Sequence, residues 1–245
     1  MGIRNHYFKF NGKSVKDFGV CVGGADTFIS SAPNIESKTI PGRNGDLLIA
    51  DGAYKNVSIS YTCQILKDFE SNFRNLSAWL FSELGYQRLE DSYHPEYFRL
   101  GSAETALEAE MTALNREGEF KVTFNCKPQM FLLSGETAVS LGESTTLTNP
   151  TMFKARPLLR VYATSTQAVT LVFNDVTTVT VANANDLEYI DIDCEIGEAY
   201  CGDVNANDQV SFTSSESDDL PYLKAGDNGI TCDGTAEITP RWWTI

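Results

Sequence analysis

Residues Val57–Ile65 read VSISYTCQI, with Val57, Ile59, Tyr61, Cys63 and Ile65 alternating against Ser58, Ser60, Thr62 and Gln64. Successive side chains of a strand point to opposite faces, so this period of two predicts a strand with one buried face. The period then changes. In DFESNFRNLSAWLFSELG (Asp68–Gly85), the residues Phe69, Phe73, Leu76, Trp79 and Leu80 recur at helical spacing. Asp68 is expected to cap the start of this helix and Gly85 to end it in a left-handed turn. A helix with an aromatic stripe needs a sheet to cover, and the strand before it offers one.

Upstream, HYFKF and SVKDFGVCVGG flank an Asn11–Gly12 turn and read as short strands. Downstream, YQRLEDS and YFRLGSA read as strands around YHPE. A hairpin follows, LEAEMTAL and EFKVTFNC around the turn NREG, with Phe120, Val122, Phe124 and Cys126 on one face. Lys127–Pro128 is expected to end its second arm, because proline donates no ladder hydrogen bond.

The small and polar stretch SGETAVSLGESTTLTNPT (Ser134–Thr151) marks a change of regime. We place two domains, residues 1–135 and 136–245. The second half shows no convincing helix. It reads as short strands, PLLRVYA, AVTLVFN, TTVTVA, LEYIDID and AEITP, between turns such as NDV, ANAND, AGDNG and CDGT. That pattern predicts a β-sandwich or jelly roll. The fold class is mainly β throughout.

Charge divides along the same line. The chain carries -14 in all; residues 1–135 hold 14 Lys and Arg against 16 Asp and Glu, and residues 136–245 hold 5 against 17. So acidic a chain repels a polyanion, which argues against specific nucleic-acid binding. No apolar run has bilayer length, and MGIRNHYFKF has no signal-type apolar core. The six cysteines form no C-x-x-C pair. Cys63 and Cys126 fall on apolar strand faces and are expected as buried thiols, while Cys194 and Cys201 could pair under oxidation.

Catalytic patterns are missing. The two histidines, His6 and His94, lie in different contexts, and neither G-x-S-x-G nor H-E-x-x-H occurs. His94 with Asp91 and Glu96 falls short of a closed metal site, so a polar turn is expected there. Asp203, Asn205 and Asn207 match the first three ligand positions of a calcium loop, but Asp208 stands where glycine is required and Ser214 where glutamate is required. Asp191 and Asp193 share a strand face. They read as its polar side rather than as a glycosidase pair. In IPGRNGDLLIADGAYKN (Ile40–Asn56), no phosphate-loop spacing appears and no helix follows. Pro41–Gly42 and Asn44–Gly45 read as turns, Asp46–Ala50 as a short strand, and Asp51–Gly52 as a turn toward Val57. We expect no cofactor, no metal and no catalytic residue.

Taken in order, FNGKSVKDFGV, SAPNIESKTIPGRNGDLLIADGAYKNVSISYTCQI, WLFSELGYQRLEDSYHPEYFRL, FNCKPQMFLLSG and the closing ITPRWWTI resemble the distal tail proteins of long-tailed bacteriophages. The likeness runs through nearly the whole chain. It is strongest over Phe8–Gly135 and continues in NPTMFKARPLL, YIDIDC, LPYLKAGDNGI and PRWW. The resemblance implies a ring, hexameric in the family, at the end of the tail. It implies a ring-forming β-sandwich domain with one helix and an extended hairpin, and an outward-facing galectin-like domain. It implies as partners the tail-tube protein, a tail-associated tip protein and receptor-binding proteins, in a virion assembled in the host cytoplasm. Arg43, Asp46, His94, Glu96 and Tyr97 are then the expected interface positions. Arg43 and Asp46 bridge either within their own turn or across subunits. Two other functions compete. One is a glycan-binding adhesin stacking sugars on Trp242 or Trp243, of which one must point inward. The other is a cell-wall hydrolase, for which the catalytic groups are missing.

Overall fold

The computed structural model describes residues 6–111, 117–162, 168–182, 187–216 and 220–245. It divides into two compact units, Met1–Met130 with Ile245, and Phe131–Thr244.

The first unit contains β1 (Phe8–Phe10), β2 (Lys13–Ser14), β3 (Val20–Asp26), β4 (Pro33–Lys38), β5 (Leu47–Tyr54), β6 (Val57–Ile65), α1 (Phe69–Leu80), β7 (Gln87–Asp91), β8 (Tyr97–Ser102) and β9 (Ala109–Met111). To it also belongs most of β10 (Gly118–Leu132). Its main sheet runs β2-β1-β7-β8-β10-β6-β3, with β9 on β10. The strand expected at Val57–Ile65 lies inside this sheet, paired along its length with Gly118–Cys126. Its alternate residues Val57, Ile59, Tyr61, Cys63 and Ile65 are 0–5% exposed. β1 and β2 turn at Asn11 and Gly12, both with positive φ (46° and 76°). The two-residue hairpin requires those angles, and Asn-Gly accepts them readily. The aromatic stripe of α1 covers the sheet as expected: Trp79 stacks on Phe18 at 4.6 Å and meets Phe8 and Phe10, and Phe73 meets Phe120 edge-on at 5.3 Å.

Four local expectations are corrected. Asp68 sits at the start of α1 with φ 50° and its side chain makes no cap hydrogen bond, because a left-handed Asp68 turns its carboxylate away from the first helical N–H groups. Gly85 does not end the helix. Leu80 does, followed by Phe81 in a non-left-handed cap. Pro128 does not end β10, which runs on to Leu132. The β6 partner stops at Val57, opposite Cys126, so the missing proline N–H has no ladder bond to break on that side. Asp51–Gly52 is not a turn but lies inside β5, where Asp51, Gly52 and Ala53 bulge against Asn34. Gly52 takes φ 80° there, a value that disfavours side chains. In the NREG turn, Asn115 and Arg116 lie outside the described residues, as do positions 183–186 of ANAND.

The second unit is a sandwich of β11 (Val139–Leu141), β12 (Thr145–Asn149), β13 (Leu158–Tyr162), β14 (Val169–Phe173), β15 (Thr177–Val181), β16 (Ile190–Asp193), β17 (Glu198–Cys201), β18 (Val204–Asn205), β19 (Val210–Ser214), β20 (Gly226–Cys232) and β21 (Thr235–Thr239). One sheet runs β11-β21-β13-β16-β17-β18 and the other β12-β20-β14-β15-β19. Their facing residues make one core: Leu159, Ile190, Ile192 and Ile238 from the first sheet, and Leu171, Phe173, Val179 and Ile230 from the second. The expected strands β13 to β16 and β21 are present. Within LPYLKAGDNGI, Asn228 ties the stretch together. Its side chain is fully buried. It accepts from the Lys224 N–H (2.8 Å) and the Asn174 amide (3.0 Å), and donates to the Lys224 and Gly226 carbonyls. Asn228→Ala strands several buried backbone groups at once. We expect a loss of about 2–3 kcal/mol in urea unfolding, with an unchanged m-value.

Candidate functional site: an exposed arm and the turn beside its root

The β4–β5 hairpin stands apart from the three larger sheets in the strand pairing. Every residue of β4, and all of β5 except Tyr54, is exposed. Register places Lys38 opposite Leu47, Ser37 opposite Leu48, Glu36 opposite Ile49 and Ile35 opposite Ala50. One face of the arm therefore presents Ile35 and Leu48, and the other Leu47 and Ile49. Leu48 is 65% exposed and Ile49 48%. A lone two-stranded hairpin is at best marginally stable in water, and apolar side chains on both of its faces seek cover.

What ties the strands together is polar. Asp46 accepts from the Ser37 and Thr39 hydroxyls at 2.8 and 2.9 Å, and these bonds hold its carboxyl below the usual range. Asp51 accepts from the Ala53 N–H and from the Asn34 amide, with the same effect. At the root, Lys55 N–H donates to Ala32 (2.9 Å) and the Ser31 hydroxyl donates to the Lys55 carbonyl.

The expected Arg43–Asp46 bridge within the turn is not formed. The Asp46 carboxylate is taken by Ser37 and Thr39, and Arg43 is exposed and in no ion pair among the described residues. His94, Glu96 and Tyr97 lie on a different element, at the β7–β8 turn, with Glu96 exposed and His94 and Tyr97 half-buried. The two groups share no hydrogen bond or ion pair among the described residues.

The polar turn expected around Asp91 and His94 is present, and it has a partner in Tyr61 that sequence reasoning missed. Asp91 Oδ1 accepts the backbone N–H groups of Tyr93 and His94, both at 2.8 Å, and lies 3.3 Å from His94 Nδ1. Oδ2 accepts from the Tyr61 hydroxyl at 2.8 Å. Burial pushes the Asp91 carboxyl up, but the hydrogen bonds from His94 and Tyr61 outweigh it and leave it lowered. No motif links Tyr61 to Asp91, because their contact spans 30 residues and depends on sheet order. Phe28, 80% exposed, leans on the His94 ring with centroids 4.6 Å apart.

In the second unit the polar candidates are occupied structurally. Asp191 takes a bidentate pair from Arg160 at 2.7 Å, and Asp193 one from Arg241 at 2.7 and 3.0 Å. Each carboxylate serves its own arginine. Asn205 and Asn207 accept the N–H groups of Asn207 and Ala199. Their oxygens order the turn. Trp242 points inward at 6% exposure, while Trp243 stacks on Phe153 at 4.4 Å and donates to the Lys154 carbonyl. All six cysteines are free thiols, and burial pushes Cys63, Cys126 and Cys194 up to about 12.

Fold and site together define a mainly β chain of two units with an exposed arm whose strands pair only with each other. Among solved structures, it is similar to the SPP1 Dit (gp 19.1) protein, described as a hub of the adsorption apparatus in phages infecting Gram-positive hosts. That match has a TM-score of 0.74 at 13% identity, over 95% of this chain and 96% of that one. It is also similar to chains of the phage p2 baseplate in its activated conformation. With strontium the TM-score is 0.56 at 10% identity, over 97% and 98% of the two chains; with calcium it is 0.53 at 9%, over 95% and 97%. No family model and no curated protein matches. The expected resemblance to distal tail proteins is met at the level of fold, from end to end of the chain.

Proposed function

We propose that this chain is the structural hub of a bacteriophage tail tip or baseplate, a distal tail protein without catalytic activity. The observation that carries it is the uncovered arm on a fold shared across 95% of the chain with a phage hub protein. An arm with apolar residues on both faces gains stability when a neighbouring copy covers it, and identical copies repeating one head-to-tail contact form a ring when the rotation between them closes. On this reading residues 1–135 build a hexameric ring and residues 136–245 form the outward, galectin-like part. The ring joins the tail-tube protein to the tail-associated tip protein, with receptor-binding proteins at its rim. The place of action is the virion, and assembly happens in the host cytoplasm. A net charge of -14 also suits a ring through which DNA passes, since like charge keeps it from adhering.

Size-exclusion chromatography with light scattering tests the reading. The expected species is a hexamer of the 27.0 kDa chain, formed alone or on adding a tail-tube protein. A monomer at every concentration that also fails to bind the tail tube counts against it. Arg43, exposed near the arm's tip, is the candidate that sequence reasoning leaves for an intersubunit pair. Arg43→Ala is expected to leave the melting temperature unchanged and to weaken each contact by about 1–2 kcal/mol, read as a shift of the assembly midpoint.

A further inference from the structure

The sandwich of the second unit has four edge strands. β11 and β18 are only three and two residues long. β12 is longer but leads into Pro150 and the cations Lys154 and Arg156. β19 differs from all three. It pairs with β15 at five successive positions without a bulge, and no strand lies on its other side among the described residues. Its sequence VSFTS holds none of the lysines and prolines that blunt exposed edges. The Ala182 N–H donates to the Gln209 carbonyl (2.7 Å) and the Ser215 N–H to the Val176 carbonyl (3.1 Å). Bonded and non-bonded pairs alternate along an antiparallel ladder. Ser211 and Thr213 therefore turn their backbone groups to β15, while Val210, Phe212 and Ser214 turn theirs outward. The Val210 N–H is taken by the Asn207 carbonyl. The N–H groups of Phe212 and Ser214, and the carbonyls of all three, have no partner among the described residues.

Charge singles out the same end of the sandwich. From Val161 to Leu223 the sequence holds 12 Asp and Glu and no Lys or Arg. Every strand from β14 to β19 comes from this stretch. Arg160 and Arg241, from outside it, neutralise Asp191 and Asp193. Asp203, Asp208 and Glu216 are exposed and in no ion pair among the described residues. A cation does stand beyond the Ser214 end, where Lys224 shares a hollow with Glu216 and Tyr222. The pull on a cation is therefore strongest toward Val210, with Asp208 two residues away.

We propose that the open edge of β19 takes an added strand from another protein, an extended segment in which apolar side chains alternate with lysine or arginine. Val210 and Phe212 are half-buried against the sandwich core, and Ser211 and Thr213 are exposed on the opposite face. An added strand continues both faces. Its apolar residues lie beside Val210 and Phe212, and its cations stand beside Ser211 and Thr213. The N–H groups of Phe212 and Ser214 donate to its carbonyls. A second copy of β19 is the wrong partner, because it brings the same acidic surroundings to the contact. The edge is complete within one chain, so the proposal stands apart from the hub reading.

The test adds synthetic peptides to the full chain at low salt, one alternating lysine with valine and one alternating glutamate with valine. With the lysine peptide, hydrogen exchange at the Phe212 and Ser214 amides should slow about tenfold or more, while the β12 amides keep their rates. The glutamate peptide should leave all of them unchanged. Thr213→Lys is an exposed change that touches no ladder bond, and it should weaken binding of the lysine peptide about tenfold. Ser214→Pro removes one outward N–H and no bond to β15, and should weaken it about as much. If Ser214→Pro loosens the strand through its lost contact with the Thr177 hydroxyl, Thr213→Lys still decides, since it leaves that contact in place. No binding of the lysine peptide, binding without slowing at Phe212 and Ser214, equal binding of the two peptides, or binding that ignores Thr213→Lys would overturn the proposal.

Discussion

Replacing Leu48 and Ile49 together by aspartate is expected to abolish assembly while leaving the chain folded. The two side chains are 65% and 48% exposed, and surface changes of this kind usually move stability by no more than about 0.5 kcal/mol. Their neighbours across the arm are Ser37 and Glu36; the charge at position 49 faces Glu36, an exposed like-charge pair that loosens the arm by a few tenths of a kcal/mol and leaves the core untouched, with Ile49→Asn as the uncharged control. In a ring the same positions would be covered, and each buried carboxylate would need a counter-charge that an apolar contact does not hold. A loss of about 2 kcal/mol or more per contact is expected, over tenfold each time the contact repeats. Because Leu48 and Ile49 face opposite sides, the single substitutions report which face is covered. Light scattering reads assembly and far-ultraviolet circular dichroism reads folding. An intact hexamer from the double variant would remove the arm from the interface.

Asp91→Ala is expected to be the most damaging polar substitution in the first unit. It strands the Tyr61 hydroxyl, on a residue with no measurable exposure, and two turn N–H groups. Leaving such groups unpaired costs about 2–4 kcal/mol in all. Asp91→Asn keeps an acceptor and should cost less. The pH dependence separates the charge from the hydrogen bonds. The Asp91 carboxyl is lowered in the folded chain, so its contribution is fully present above the unfolded carboxylate range, near pH 4, and is lost as pH falls through the folded value. Acid unfolding curves of the wild type should therefore be steeper below about pH 4 than those of Asp91→Asn. Parallel curves would show that the charge of Asp91 adds nothing beyond its geometry.

How much of this was legible beforehand depended on how local the cause was. The alternation in VSISYTCQI and the stripe in α1 report burial directly, and both elements lie where their periods put them. The ends of elements were harder. Asp68 has the right chemistry for a cap but the wrong backbone angle, and Pro128 continues a strand because its neighbour has already ended. Asp51–Gly52 has the composition of a turn and instead makes a bulge, since the cross-strand partner Asn34 keeps the hairpin paired through it. The arm itself was half-legible. DLLIA reads as a strand and Asp51–Gly52 as a turn, whereas the strand runs through both to Tyr54, and that nothing covers either face appears only in three dimensions. The Asp91–Tyr61 bond and the Phe28–His94 contact, spanning 30 and 66 positions, arise from sheet order and leave no mark in sequence spacing.

The most direct test of the hub reading is an electron-microscope image of the purified chain, alone and with a tail-tube protein. Closed rings of uniform size, lost in the Leu48→Asp, Ile49→Asp variant, are the expected result. Single particles of monomer size under both conditions would contradict it.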